Sequence, residues 1–108
     1  MRLYGVYNND GEVYAVYKTE QEAGGLDTVE LVPNPSWETD DWTDELTGTH
    51  WIKADRLAFL FCELVKKTGM KKKVLASLCG KSCETFSKYC SGIVPVPLLV
   101  WEEVEMNV

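Results

Sequence analysis

Lys66, Lys67, Lys71, Lys72, Lys73, Lys81 and Lys88 crowd into one stretch of the C-terminal half of a 108-residue chain. Each ammonium is a compact cation with three donors, and a cluster of them attracts phosphate whatever the base sequence beside it. On its own such a run also describes a solvated helix face. The charge of the rest of the chain sharpens the reading. Residues 1–50 hold two bases, Arg2 and Lys18, against eleven acids, a net −9, whereas residues 51–108 hold nine bases against six acids, a net +3. The overall formal charge of −6 averages two halves of opposite sign. It argues against a chain that coats nucleic acid along its whole length, and the asymmetry assigns the halves different purposes.

The other chemically capable residues point nowhere so definite. Cys62, Cys79, Cys83 and Cys90 sit inside apolar helical patterns without a Cys-x-x-Cys spacing, so they read as reduced core thiols. Cys79 and Cys83 are four apart, but the single imidazole, His50, is distant in sequence, and zinc favours closely spaced ligand pairs. The carboxylates between Glu38 and Glu45 are many and have nothing to fix their geometry. With no glycine-rich phosphate loop and no nucleophile elbow, the expectation is a protein that is not an enzyme and needs no metal or cofactor. No apolar run reaches membrane-spanning length and Met1–Val6 opens no export signal, so a cytoplasmic protein without membrane partners is expected.

The elements that must position these residues follow from periodicity. Leu3–Tyr7 and Glu12–Tyr17 are β-branched and aromatic runs around Asn8-Asn9-Asp10-Gly11, whose Asp-Gly suits a tight reversal, so a β-hairpin is predicted. Tyr4, Tyr7, Tyr14 and Tyr17 recur along it and are assigned to the core in preference to a base-stacking platform. Thr19 and Glu22 have capping-box spacing for a short helix ending at Gly24-Gly25. Thr28–Val32 alternates as a third strand, stopped by Pro33-Asn34-Pro35. Residues 36–50, acidic and carrying Trp37 and Trp42, read as a linker. From about Trp51 the spacing of Ile52, Leu57, Leu60, Phe61, Leu64 and Val65 is helical, ending at Lys66-Lys67-Thr68-Gly69.

Beyond Gly69 the small residues fall where two helices crossing through a tight turn need them. Ala76 faces the crossing, Gly80 permits a left-handed backbone, Ser82 caps the next helix and Gly92 stops it. Leu75, Leu78 and Cys79 from the first helix and Phe86 and Tyr89 from the second supply the expected buried faces.

This stretch, Lys72 to Gly92, resembles the helix-turn-helix of phage repressors of the lambda and Cro type and of many small bacterial antitoxins and regulators. The likeness extends to a preceding helix from about Trp51 to Thr68 and to a following one over Ile93–Val104. Lys81 departs from the pattern, since family members usually bury an aliphatic residue there. The resemblance implies that the second helix enters the major groove with Ser82, Cys83, Glu84, Ser87 and Lys88 toward the DNA. It implies that Lys72 touches the backbone and that Lys66, Lys67, Lys71, Lys73 and Lys81 add sequence-independent attraction.

The expected architecture is α+β: a small three-stranded antiparallel β module with a short helix over residues 1–35, an acidic linker over 36–50, and an all-α helix-turn-helix domain of about four helices over 51–108. The expected function is sequence-specific binding of double-stranded DNA by a homodimeric regulator, in the manner of a phage or mobile-element repressor. The alternative is an interaction or inhibitor protein whose acidic N-terminal module binds a protein partner, with the helical domain auxiliary or autoregulatory.

Overall fold

The computed structural model describes residues 2–36 and 39–108, and the chain divides into two compact units, Met1–Ala54 and Asp55–Val108. The first is a five-stranded antiparallel sheet in the order β2-β1-β3-β5-β4, formed by β1 (Leu3–Tyr7), β2 (Val13–Tyr17), β3 (Thr28–Pro33), β4 (Trp42–Asp44) and β5 (Thr49–Lys53). This corrects the expectation of three strands followed by an all-α domain. The residues read as an acidic linker carry β4 and the first two residues of β5, and Trp51 and Ile52, read as the start of a helix, lie on β5. Trp37 and Glu38 fall outside the described residues.

Local chemistry explains the β4–β5 hairpin. Asp44 Oδ1 accepts from the Leu46 amide at 2.9 Å, the Gly48 amide donates to the Asp44 carbonyl at 2.7 Å, and Gly48 takes the left-handed φ of +73° that closes the turn. The approach to β4 is held by Asn34, which is buried. Its Nδ2 donates to the Thr39 carbonyl at 2.7 Å and to Asp40 Oδ1 at 2.8 Å, while its Oδ1 accepts from the Ser36 amide at 3.1 Å. Asp40 pairs in turn with His50, and Asp41 Oδ2 accepts from the Lys53 amide at 2.8 Å. Asp40, Asp41 and Asp44 thus act as turn and hairpin acceptors.

The sheet buries both sides of its middle strands. Neighbours on one strand point to opposite faces, yet Leu31 and Val32 on β3, and Trp51 and Ile52 on β5, are all buried. The sheet also curls. A side chain at Gly5 would meet Val13 Cγ1 at 3.0 Å and Leu31 Cδ1 at 3.1 Å, so the strands on either side of β1 fold their side chains over it. From β5, Lys53 Nζ reaches the Gly11 carbonyl in the β1–β2 turn at 3.0 Å.

The tyrosines depart from their expected burial. Register along β1 and β2 runs regularly from Tyr4↔Tyr17 to Val6↔Ala15 and then jumps to Tyr7↔Val13, leaving Tyr14 as the extra residue of a β-bulge. Tyr14 is 63% exposed and Tyr7 42%, and neither Tyr4 nor Tyr17 is fully buried. The bulge also disrupts the outer edge of β2 where a second strand would otherwise pair.

The second unit holds α1 (Ala54–Thr68), α2 (Lys72–Leu78), α3 (Cys83–Ser91) and α4 (Leu98–Glu105). Leu57, Ala58, Phe61 and Val65 are the buried stripe of α1, spaced by three and four residues. Phe61 is the hub: its ring centroid lies 5.3 Å from Phe86, 6.3 Å from Tyr89 and 6.1 Å from Trp101, so one side chain joins α1, α3 and α4. Each such ring pair adds about 0.5–1.5 kcal/mol beyond its burial. Leu78, expected in the core, is 49% exposed; Leu75 and Ala76 make the buried face of α2. The last helix starts at Leu98 and not near Ile93, because Pro95 and Pro97 lack amide donors and force the residues before them out of helical geometry.

Candidate nucleic-acid interface

The α2–α3 unit is built by its turn. The Gly80 amide donates to the Ser77 carbonyl at 3.1 Å and the Lys81 amide to the Ala76 carbonyl at 2.9 Å, with Gly80 at φ +67°; these are the two bonds of a Schellman ending. Ser82 then opens α3 with extended backbone, and its Oγ accepts from the Thr85 amide at 3.1 Å. The far end repeats the device: the Ile93 amide donates to the Lys88 carbonyl at 3.1 Å across Gly92, at φ +83°. Lys81 is exposed, and only its backbone takes part in the turn, so this position presents an ammonium to solvent.

Helical geometry then sorts the side chains of α3. Phe86 and Tyr89 point into the unit and are buried, while Cys83, Glu84, Ser87 and Lys88, one and four residues apart, share the opposite arc and are exposed. Lys71, Lys72, Lys73, Lys81 and Ser82 are exposed as well. Sequence reading overlooked Ser91, which lies four residues after Ser87 and seven after Glu84 on the same exposed arc. That spacing was the available signal. Its hydroxyl donates to the Lys88 carbonyl at 3.1 Å.

Three of the expected contact residues, Ser82, Glu84 and Lys88, already have intramolecular partners. Ser82 Oγ caps α3 and donates to Thr85 Oγ1 at 2.9 Å, which leaves it one lone pair for an external donor. Lys88 Nζ lies 3.9 Å from Glu84 Oε1, an i,i+4 pair in which the carboxylate is 83% exposed. Free to solvent on its distal side, Lys88 can bridge Glu84 and an approaching acceptor, or exchange one for the other.

The cysteines are free thiols, but they do not all sit in the core: Cys83 is exposed and Cys62, Cys79 and Cys90 are half-buried. Burial pushes the Cys79 thiol up, Glu103 adds to the rise and Lys81 opposes it. No group of three or more His, Cys, Asp or Glu among the described residues is arranged to hold a metal ion, and no described helix is long and apolar enough to cross a membrane. Comparison of the chain with protein-family models, curated proteins and solved structures finds no match.

Proposed function

We propose that the helical unit binds double-stranded DNA, with α3 in the major groove, and that the protein is a transcriptional regulator. The observation that carries this reading is the division of α3. Its aromatic residues close the core, and Cys83, Glu84, Ser87, Lys88 and Ser91 form a polar outer arc with no internal packing role. A short helix, a left-handed glycine turn and a second, serine-capped helix with a polar outer face are the parts that a groove-reading helix pair needs. The exposed lysines at and before α2 and in the turn supply the phosphate attraction. Two copies reading a two-fold site is the arrangement such domains generally use.

The test is binding to duplex DNA from the gene's own upstream region, followed over a range of salt. With about four phosphates neutralised per subunit, log K falls against log salt with a slope near −3.6. Absence of binding at low salt overturns the proposal. It would leave the acidic sheet, with its net −9 over residues 1–50, as the recognition surface for a basic protein partner.

A further inference from the structure

We propose that Cys62 and Cys90 are an intramolecular disulfide-forming pair, which on oxidation staples α1 to the last turn of α3. Cys62 Sγ donates to the Cys90 backbone carbonyl at 3.2 Å, which sets the thiol of α1 against the backbone that carries the Cys90 side chain. A disulfide needs Cβ atoms within about 4.5 Å of each other, and a thiol that reaches its neighbour's own backbone carbonyl stands close to that range. Both residues are half-buried, which admits a small oxidant and excludes a second protein chain. The other two cysteines are placed differently. The nearest charged influences on Cys79 are Glu103 and Lys81, and Cys83 stands exposed on the outer arc of α3.

The oxidant this site would take is a low-molecular-weight disulfide. Burial, then the neighbouring Cys62, push the Cys90 thiol up to about 11, with Lys72 opposing. Either thiol can make the first attack, and the balance of atoms and electrons is the same from both sides. The Cys62 sulfur, losing its proton, bonds to one sulfur of the oxidant and expels the other as a thiolate, which takes up that proton. The Cys90 sulfur then attacks Cys62, breaks the mixed disulfide, and gives its proton to the second departing thiolate. Two protein thiols lose two electrons, and one small disulfide becomes two small thiols. The bond encloses α2, the glycine turn and most of α3 in a covalent ring, so α3 can no longer part from α1. This holds whether or not the unit binds DNA.

The experiment uses the folded full-length chain, incubated with oxidised glutathione, alkylated to block remaining thiols, and digested for peptide mass mapping. The expected product is a pair of peptides joined through Cys62 and Cys90, lighter by two hydrogens and separated by dithiothreitol. The same link is expected in a chain carrying Cys79→Ser and Cys83→Ser, and its loss in Cys62→Ser. Recovery of Cys62 and Cys90 alkylated, or each carrying glutathione, overturns the proposal. So does a link that forms only after denaturant is added, because the contact would then not belong to the native helices.

Discussion

Glu84 and Lys88 face each other one turn apart on α3, the carboxylate 3.9 Å from the ammonium. Within the proposed function the pair sets an internal competitor against DNA for the single cation of the outer arc. Glu84→Gln removes the competitor and a charge that repels phosphate, so DNA affinity is expected to rise about two- to fivefold at low salt, the scale of an exposed ion pair. Lys88→Ala is expected to cost about 1–3 kcal/mol of discrimination at one or two base pairs. Lys73→Ala should weaken all sequences alike and reduce the salt slope by about 1. Binding titrations against matched and mutated sites separate the three outcomes; equal behaviour of Lys88→Ala and Lys73→Ala would remove α3 from the groove.

The glycine turn makes a prediction independent of function. A Cβ at Gly80 would meet nothing within 4 Å, so any cost of substitution there is a cost of its φ of +67°. Gly80→Val should lower the stability of the helical unit by about 1–3 kcal/mol. Gly80→Asn should lose little, since Asn tolerates the left-handed region. Thermal melts followed by circular dichroism test this, and equal losses in the two variants would point to packing instead of backbone conformation.

Gly5 is the opposite case, because its backbone is ordinary and its space is taken. Gly5→Ala drives a methyl toward Val13 Cγ1 and Leu31 Cδ1, at 3.0 and 3.1 Å, and should destabilise the sheet by about 1–3 kcal/mol. Adding Val13→Ala opens part of that space and should restore some of the loss. A double variant no better than the sum of its parts, by denaturant unfolding, would show that the two side chains do not meet over β1.

Cys90 predicts a pH dependence. Its thiol is raised from 9.0 to about 11 in the folded chain, so the folded state holds this proton more tightly than the unfolded one. The associated stability is complete below pH about 9 and is lost as pH rises through about 11. Denaturant midpoints measured under reducing conditions should fall over that window, and the fall should be shallower in Cys90→Ala. Parallel curves for parent and variant would show that the thiol makes no such contribution.

The features legible in the sequence are those whose cause lies within a few residues. Gly80 and Gly92 adopt left-handed backbone because few other residues do so cheaply, Ser82 caps because its hydroxyl reaches three residues on, and Phe86 and Tyr89 turn inward by helical period. Pro95 and Pro97 carried an equally local message, that no helix starts at Ile93, which the likeness to a longer helix obscured. The hairpin of Trp42–Asp44 and Thr49–Lys53 was signalled by Gly48 and Asp44, but acidic composition made the segment resemble a linker.

Tertiary structure alone decided which strands pair and where they slip. Val32↔Ile52 and Pro33↔Trp51 join residues about twenty positions apart, and a period-two pattern does not name its partner. The bulge that exposes Tyr14 exists only because β2 spends three residues where β1 spends two; β2 read alone alternates without fault. The same holds for Leu78, which has an apolar side chain at a helical position yet faces water, since burial depends on what the other helices cover. Local conformation is set by steric limits and hydrogen bonds that the chain carries with it at every point, whereas pairing and burial are settled by contacts between segments that sequence order leaves apart.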